Sequence, residues 1–118
     1  VALHTTLPIY KVAYDLLNVA TGYVRDMPRS VKPFIGTRMF ELCSKLVTLV
    51  RSANIAKDKR PHLEILLERL GELEVIFRLC QDNRYISRGQ YASAIVLTAS
   101  VGKQANGWRN RYAASPVV

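Results

Sequence analysis

Apolar and small side chains recur along this chain at alternating spacings of three and four, in four successive runs. The first run is Ile9, Ala13, Leu16, Ala20 and Tyr23, and the second is Ile35, Met39, Leu42, Leu46, Leu49 and Ala53. The third is Leu63, Leu66, Leu70, Leu73, Phe77 and Cys80, and the fourth is Tyr91, Ala94, Thr98, Val101, Ala105 and Trp108. Such spacing places each run on one stripe of a helix, and no segment alternates as a half-buried strand does. A stripe held at a mean period of about 3.5 residues favours helices crossing at about 20°. The pattern therefore predicts an all-α fold.

The breaks between runs predict how the helices connect. Met27-Pro28-Arg29-Ser30 should end the first helix, with Ser30 capping the second. Asn54 to Arg60 is polar and basic, and Pro61 suits the first turn of a third helix. Asp82-Asn83-Arg84-Tyr85 should close that helix, and Ser87 with Gln90 three residues on has the form of a capping box for the fourth. Ala113-Ala114-Ser115-Pro116 should stop the fourth. Connections of about five to seven residues allow only antiparallel neighbours, which gives an antiparallel up-down-up-down four-helix bundle. It forms one domain over residues 8–112, with 1–7 and 113–118 as flexible termini.

A second apolar set does not fit one narrow stripe. It comprises Val12 and Leu17, then Val47 and Val50, then Ile65, Leu67, Val75, Ile76 and Leu79, and finally Ile95, Val96 and Leu97. A monomeric bundle buries roughly three positions per heptad, and the third helix offers more. The surplus is either scattered surface or a subunit interface. The interface is the favoured reading, and it predicts a homo-oligomer.

Composition narrows the class. The chain has 118 residues, enough for a core without staples, and 49% of them are hydrophobic, which separates it from disordered sequences. No apolar run approaches the roughly 18 residues of a membrane span, so no membrane association is expected. The start, Val1-Ala2-Leu3-His4, has neither the basic nor the apolar region of a signal peptide, and it has no methionine, leaving room for residues upstream. A cytoplasmic location is expected. Cys43 and Cys80, both inside apolar helical runs, should be reduced core thiols.

Charge changes the picture most. Lys and Arg number 17 against 9 acids, a net +8. Residues 1–28 are neutral overall, and residues 57–82 carry net −1. The excess lies in residues 29–56, at net +4, and residues 83–118, at net +5 with no acid at all. Two basic segments of this kind suit a polyanion such as RNA or DNA. The candidate contacts are Arg29, Lys32 and Arg38 at the start of the second helix, and Lys103, Arg109 and Arg111 at the end of the fourth. In this topology the second and fourth helices run parallel. The two groups therefore lie at opposite ends, as separate sites or as one site joined across subunits.

Chemistry has few carriers. His4 and His62 are isolated, and two core cysteines with two remote histidines do not make a zinc site. Glu64, Glu68 and Glu72 recur every four residues, but the Glu-x-x-His pairs of di-iron bundles are absent, and Arg60 and Arg69 make this a solvated or interface face. Gly102-Lys103 lacks the upstream glycine of a phosphate-binding loop, and there is no Gly-x-Ser-x-Gly elbow. No catalytic residue, metal or cofactor is expected, so the chain is read as a non-enzyme. In the fourth helix Ser100, Gly102, Ala105, Asn106 and Gly107 are small, and each glycine costs about 1 kcal/mol relative to alanine. Close backbone approach by a neighbouring helix is the favoured compensation, and by a phosphate backbone the other. Trp108 falls on the stripe at the core's end, with Arg109 and Arg111 beyond it.

Four short motifs carry a family resemblance: Met27-Pro28-Arg29-Ser30, Phe34-x-Gly36-x-Arg38, Ile86-Ser87-x-x-Gln90-Tyr91, and Val101-Gly102-Lys103-x-x-x-Gly107-Trp108. In this order the chain resembles, over residues 8 to 112, the accessory variability proteins (Avd) of diversity-generating retroelements. Their relatives are four-helix proteins encoded within intervening sequences of large-subunit ribosomal RNA genes. The resemblance implies a barrel-shaped homopentamer of bundles with a basic surface, which in retroelements binds a partner reverse transcriptase and nucleic acid during mutagenic copying. Where that family usually has Gly-Arg, two apolar residues and Gly-Gly-Trp, this chain has Lys103 for the arginine and Gln104-Ala105-Asn106 for the next three. Two functions stay open: a nucleic-acid-binding accessory protein, and a stand-alone homo-oligomeric scaffold.

Overall fold

A computed structural model describes residues 3–113, and every regular element in them is helical. The four long helices are α1 (Pro8–Asp26), α2 (Thr37–Ile55), α3 (Arg60–Asp82) and α4 (Arg88–Ala113). Each packs on the next in sequence, and α4 closes on α1, so the antiparallel up-down-up-down four-helix bundle is the observed architecture. The buried residues of α1 and α3 are the stripes the sequence predicts, Ile9 to Tyr23 and Leu63 to Cys80. In α2 the buried face is wider. Cys43, Val50 and Asn54 join the stripe, while Ile35 is only half-buried. Val50, placed by the spacing in the surplus set, is fully buried core. In α4, Ala94, Thr98, Val101 and Ala105 are fully buried and Tyr91 and Trp108 half-buried.

Ser30 does not cap the second helix. The chain leaves α1 through Met27, which is buried, and enters a π-helical turn, Lys32–Gly36, bounded by Val31 with no side-chain cap. Backbone groups close this corner instead. The Pro28 carbonyl accepts the N–H groups of Val31 and Lys32, and the Val31 carbonyl accepts those of Phe34, Ile35 and Gly36 at 2.9–3.4 Å. A Cβ on Gly36 would lie 3.0 Å from Val24 Cγ1, so glycine lets this turn press against the end of α1.

The α3–α4 corner follows the sequence closely. Pro61 stands in the first turn of α3, and α3 ends at Asp82. Arg84 then adopts a left-handed φ of 62°, while Tyr85 N–H donates to the Cys80 carbonyl at 2.7 Å. Ser87 and Gln90 form the expected capping box. Ser87 N–H donates to Gln90 Oε1 at 2.8 Å, and Gln90 N–H donates to Ser87 Oγ at 3.0 Å. The Tyr23 hydroxyl donates to the Gln90 carbonyl at 2.7 Å, tying α1 to the start of α4. Its ring meets Phe77 edge-on, and burial pushes the Tyr23 phenol up.

At the other end, His4–Thr6 makes one 3-10 turn before α1, and Leu7 packs against the core. Residues 1–2 and 114–118 of the terminal assignments, including the Ser115-Pro116 stop, lie outside the described residues. Cys43 and Cys80 are buried and unpaired, and burial pushes their thiols up to about 12 and about 11. No helix of the described residues is long and apolar enough to cross a membrane.

Candidate functional site

The six basic residues singled out by the sequence fall at opposite ends of the bundle. Arg29 lies exposed in the turn after α1, and Lys32 is half-buried at the start of the π-helical turn. Lys32 is close enough to Asp26 to help hold its carboxyl below the usual range, after the larger effect of the Arg25 hydrogen bond. Arg38 is committed to an acid on the next helix. Its guanidinium contacts Glu72 of α3 at 2.6 Å and Glu41 at 3.6 Å, which ties α2 to α3. Glu72, one of the acidic repeat, therefore serves an inter-helix ion pair. Glu64 and Glu68 are exposed.

Lys103, Arg109 and Arg111 lie on the last turns of α4. Lys103 is exposed, whereas the Arg109 guanidinium donates to Asn106 Oδ1 at 2.8 Å. Asn106 in turn donates to the Gly102 carbonyl at 2.9 Å, so Arg109 is braced along its own helix rather than projecting past the core. Lys103 and Arg111 line a cavity of about 600 Å³ between the start of α1, the end of α2 and the end of α4. Its apolar wall includes Leu7, Pro8 and Ile9, and its aromatic wall is Trp108 and Tyr112. Trp108, assigned to the core's end by its stripe position, does both jobs, packing on the core and facing this cavity.

The third cation of the cavity is Lys59, which is not among the six basic residues that the charge pattern singles out. Its ammonium donates to the carbonyls of Ala53, Asn54 and Ala56 at 2.9–3.0 Å, satisfying the end of α2 where the helix leaves carbonyls unpaired. It also stands 6.0 Å from the centroid of the Trp108 ring and 5.6 Å from that of Tyr112. Three carbonyls and two aromatic faces fix this charge at the cavity. A lysine a few residues beyond a predicted helix end was the available signal. No carboxylate is among the cavity's lining residues in the described part of the chain.

The two glycines of α4 have different reasons. A Cβ on Gly102 would lie 3.2 Å from Leu70 Cδ2, so the expected close approach of a neighbouring helix holds there. Among the described residues a Cβ on Gly107 would meet nothing within 4 Å, and Gly107 lines the cavity. That glycine keeps a wall open rather than letting a helix in. Among the described residues no group of three or more His, Cys, Asp or Glu side chains is placed to hold a metal ion.

Compared with known families, residues 8–112 match the family described as bAvd-like. No curated protein matches the chain.

Proposed function

The chain belongs to the bAvd-like family, and from that premise we propose that this accessory protein acts by binding, not catalysis, holding RNA or DNA while assembled as a homopentamer with a reverse transcriptase. The observation that supports nucleic-acid binding is the cationic lining of one cavity. Lys59, Lys103 and Arg111 line one hollow without a carboxylate among its described walls. Fixed positive charge beside aromatic rings suits a phosphate backbone carrying bases. Arg29 and Lys32, at the far end, contribute to the same strand only across subunits of a ring.

Assembly is supported by apolar side chains that the bundle leaves outside. Val75, Leu79 and Val96 are 67%, 41% and 68% exposed. Val75 and Leu79 lie one turn apart on α3, and Val96 lies on α4, which packs on α3. Exposed apolar side chains docking on a different surface of the next copy close into a ring. The same residues favour the second reading, a stand-alone homo-oligomeric scaffold with no nucleic-acid role.

Fluorescence anisotropy with a labelled oligonucleotide separates the two readings. At about 50 mM salt the protein should bind with little sequence preference, and log K should fall by roughly 0.9 per log salt for each duplex phosphate neutralised. Reversal of Arg109 and Arg111 to Glu should weaken binding and leave helicity intact. Absence of binding in a protein that still sediments as a pentamer would leave the scaffold standing. A monomer at micromolar concentration would remove the assembly.

A further inference from the structure

We infer that the cavity between the start of α1 and the end of α4 is a subsite for one nucleotide unit, taking its flat base against the Trp108 and Tyr112 wall and its phosphate beside Lys103 and Arg111. The inference rests on the nucleic-acid reading above and adds to it a place, a stoichiometry of one per chain and a chemistry beyond charge. At about 600 Å³ the cavity falls within the range of about 300–1,000 Å³ common to small-ligand sites. Its walls divide by type. Leu7, Pro8 and Ile9 supply apolar surface, Trp108 and Tyr112 supply π faces, and Lys59, Lys103 and Arg111 supply positive charge.

That combination selects among anions. A bare phosphate gains nothing from the apolar and aromatic walls and would shed water against them. A neutral aromatic ligand gains only cation–π attraction from the three cations, without an ion pair. A nucleotide matches both, because every base has a π face and every unit of a strand carries one phosphate. Two features prepare the site before any ligand arrives. Lys59 is pinned by three carbonyls, so its charge needs no ordering on binding. Gly107 places no side chain in the space beside Trp108, where a Cβ would meet no atom of the described residues within 4 Å. Glycine in a helix lowers stability, and this one has no packing contact to compensate. Room for a ligand accounts for it.

Trp108 is the only tryptophan of the chain, so its fluorescence reports on this cavity and nowhere else. The full chain is titrated at about 50 mM salt with adenosine monophosphate, with pentadeoxyadenylate and with a short poly-glutamate peptide. Saturable change in Trp108 emission is expected with the nucleotides and not with the peptide. Response to both nucleotides identifies the free unit as a ligand. Response to the oligonucleotide alone identifies a unit presented within a strand. Tyr112, 40% exposed at the end of α4, is the variant of choice because its loss leaves the core intact. Tyr112→Ala should weaken the nucleotide response about tenfold, the loss of one stacking face, with helicity unchanged. Oligonucleotide binding by anisotropy without any Trp108 response would overturn the subsite and spare the basic surface. No binding by either readout would sink both. An equal response to poly-glutamate would show that the walls do not read a base.

Discussion

The two ends of this bundle carry similar numbers of cations and use them in opposite ways. Where α1, α2, α3 and α4 meet around Tyr23, Phe77 and Gln90, a cavity of about 520 Å³ is lined by Asp26 and Asp82 as well as Arg84 and Arg88. Charges there pair locally. Asp26 bonds Arg25, whose guanidinium holds its carboxyl low, and Arg78 bonds Asp82 at 3.1 Å. The end around Trp108 has a cavity of comparable size whose described walls are cationic, aromatic and apolar. One end pairs its acids with arginines of the same helix. The other holds charge in place over a hollow that no helix fills. Net charge alone does not distinguish them, because the +8 of the chain is a sum over both. What separates the two cavities is that Asp26 and Asp82 line one, while no carboxylate is among the described lining residues of the other.

The comparison is tested most severely by breaking the closed end. Phe77 is fully buried and meets Tyr23 with ring centroids 6.4 Å apart. Phe77→Ala should cost about 3–5 kcal/mol, from lost transfer energy and the cavity left behind. Urea unfolding followed by circular dichroism measures it. In the fraction still folded, the Trp108 response to oligonucleotide should persist, since the lesion is at the far end. Loss of that response at full helicity would mean the two ends are not independent.

A smaller loss is expected when the open end loses its fixed charge. Lys59→Met keeps the apolar stem but leaves the carbonyls of Ala53, Asn54 and Ala56 without the ammonium. A charge-assisted hydrogen bond contributes about 1.5–3 kcal/mol, but these three come from one half-buried ammonium whose transfer from water offsets part of the gain, so a total of about 2 kcal/mol is expected. Oligonucleotide affinity should fall as well, with a shallower dependence on salt. A stable variant that binds normally would show that Lys59 serves only as the cap of α2.

Much of the closed end was legible in the sequence, and little of the open end was. The stripes of α1 and α3 and the Ser87–Gln90 capping box are local rules that a short window contains. A stripe gives the direction of burial but not its width, which is why Val50 falls by spacing in the surplus set although it is fully buried core of α2. The corner before α2 misled for another reason. Ser30 is a good cap by type, but the Pro28 and Val31 carbonyls close the turn without it. Lys103, Arg109 and Arg111 stood out because no acid follows residue 82. The cavity beside them did not, because it joins Leu7 and Lys59 to Trp108 across the chain. Arg38 looked like a surface cation until Glu72, thirty-four residues away, was found against it.

The smallest effect sharpens the comparison most, because it sets two glycines of one helix against each other. Both carry the same intrinsic cost, about 1 kcal/mol relative to alanine in a helix interior. At Gly102 the new methyl would press on Leu70 Cδ2 at 3.2 Å, and Leu70 is 4% exposed with little room to yield. Gly102→Ala should therefore gain nothing, its helical advantage offset by repacking of about the same size. At Gly107 the methyl enters open space, so Gly107→Ala should raise stability by about 0.5–1 kcal/mol, read as a shift of the urea midpoint. The same methyl narrows the hollow beside Trp108, and the nucleotide response should weaken in the protein that has become more stable. A core or capping role for Gly107 predicts the reverse, lower stability with binding unchanged. Stabilisation with a full Trp108 response would show that Gly107 does not keep the hollow open for its ligand.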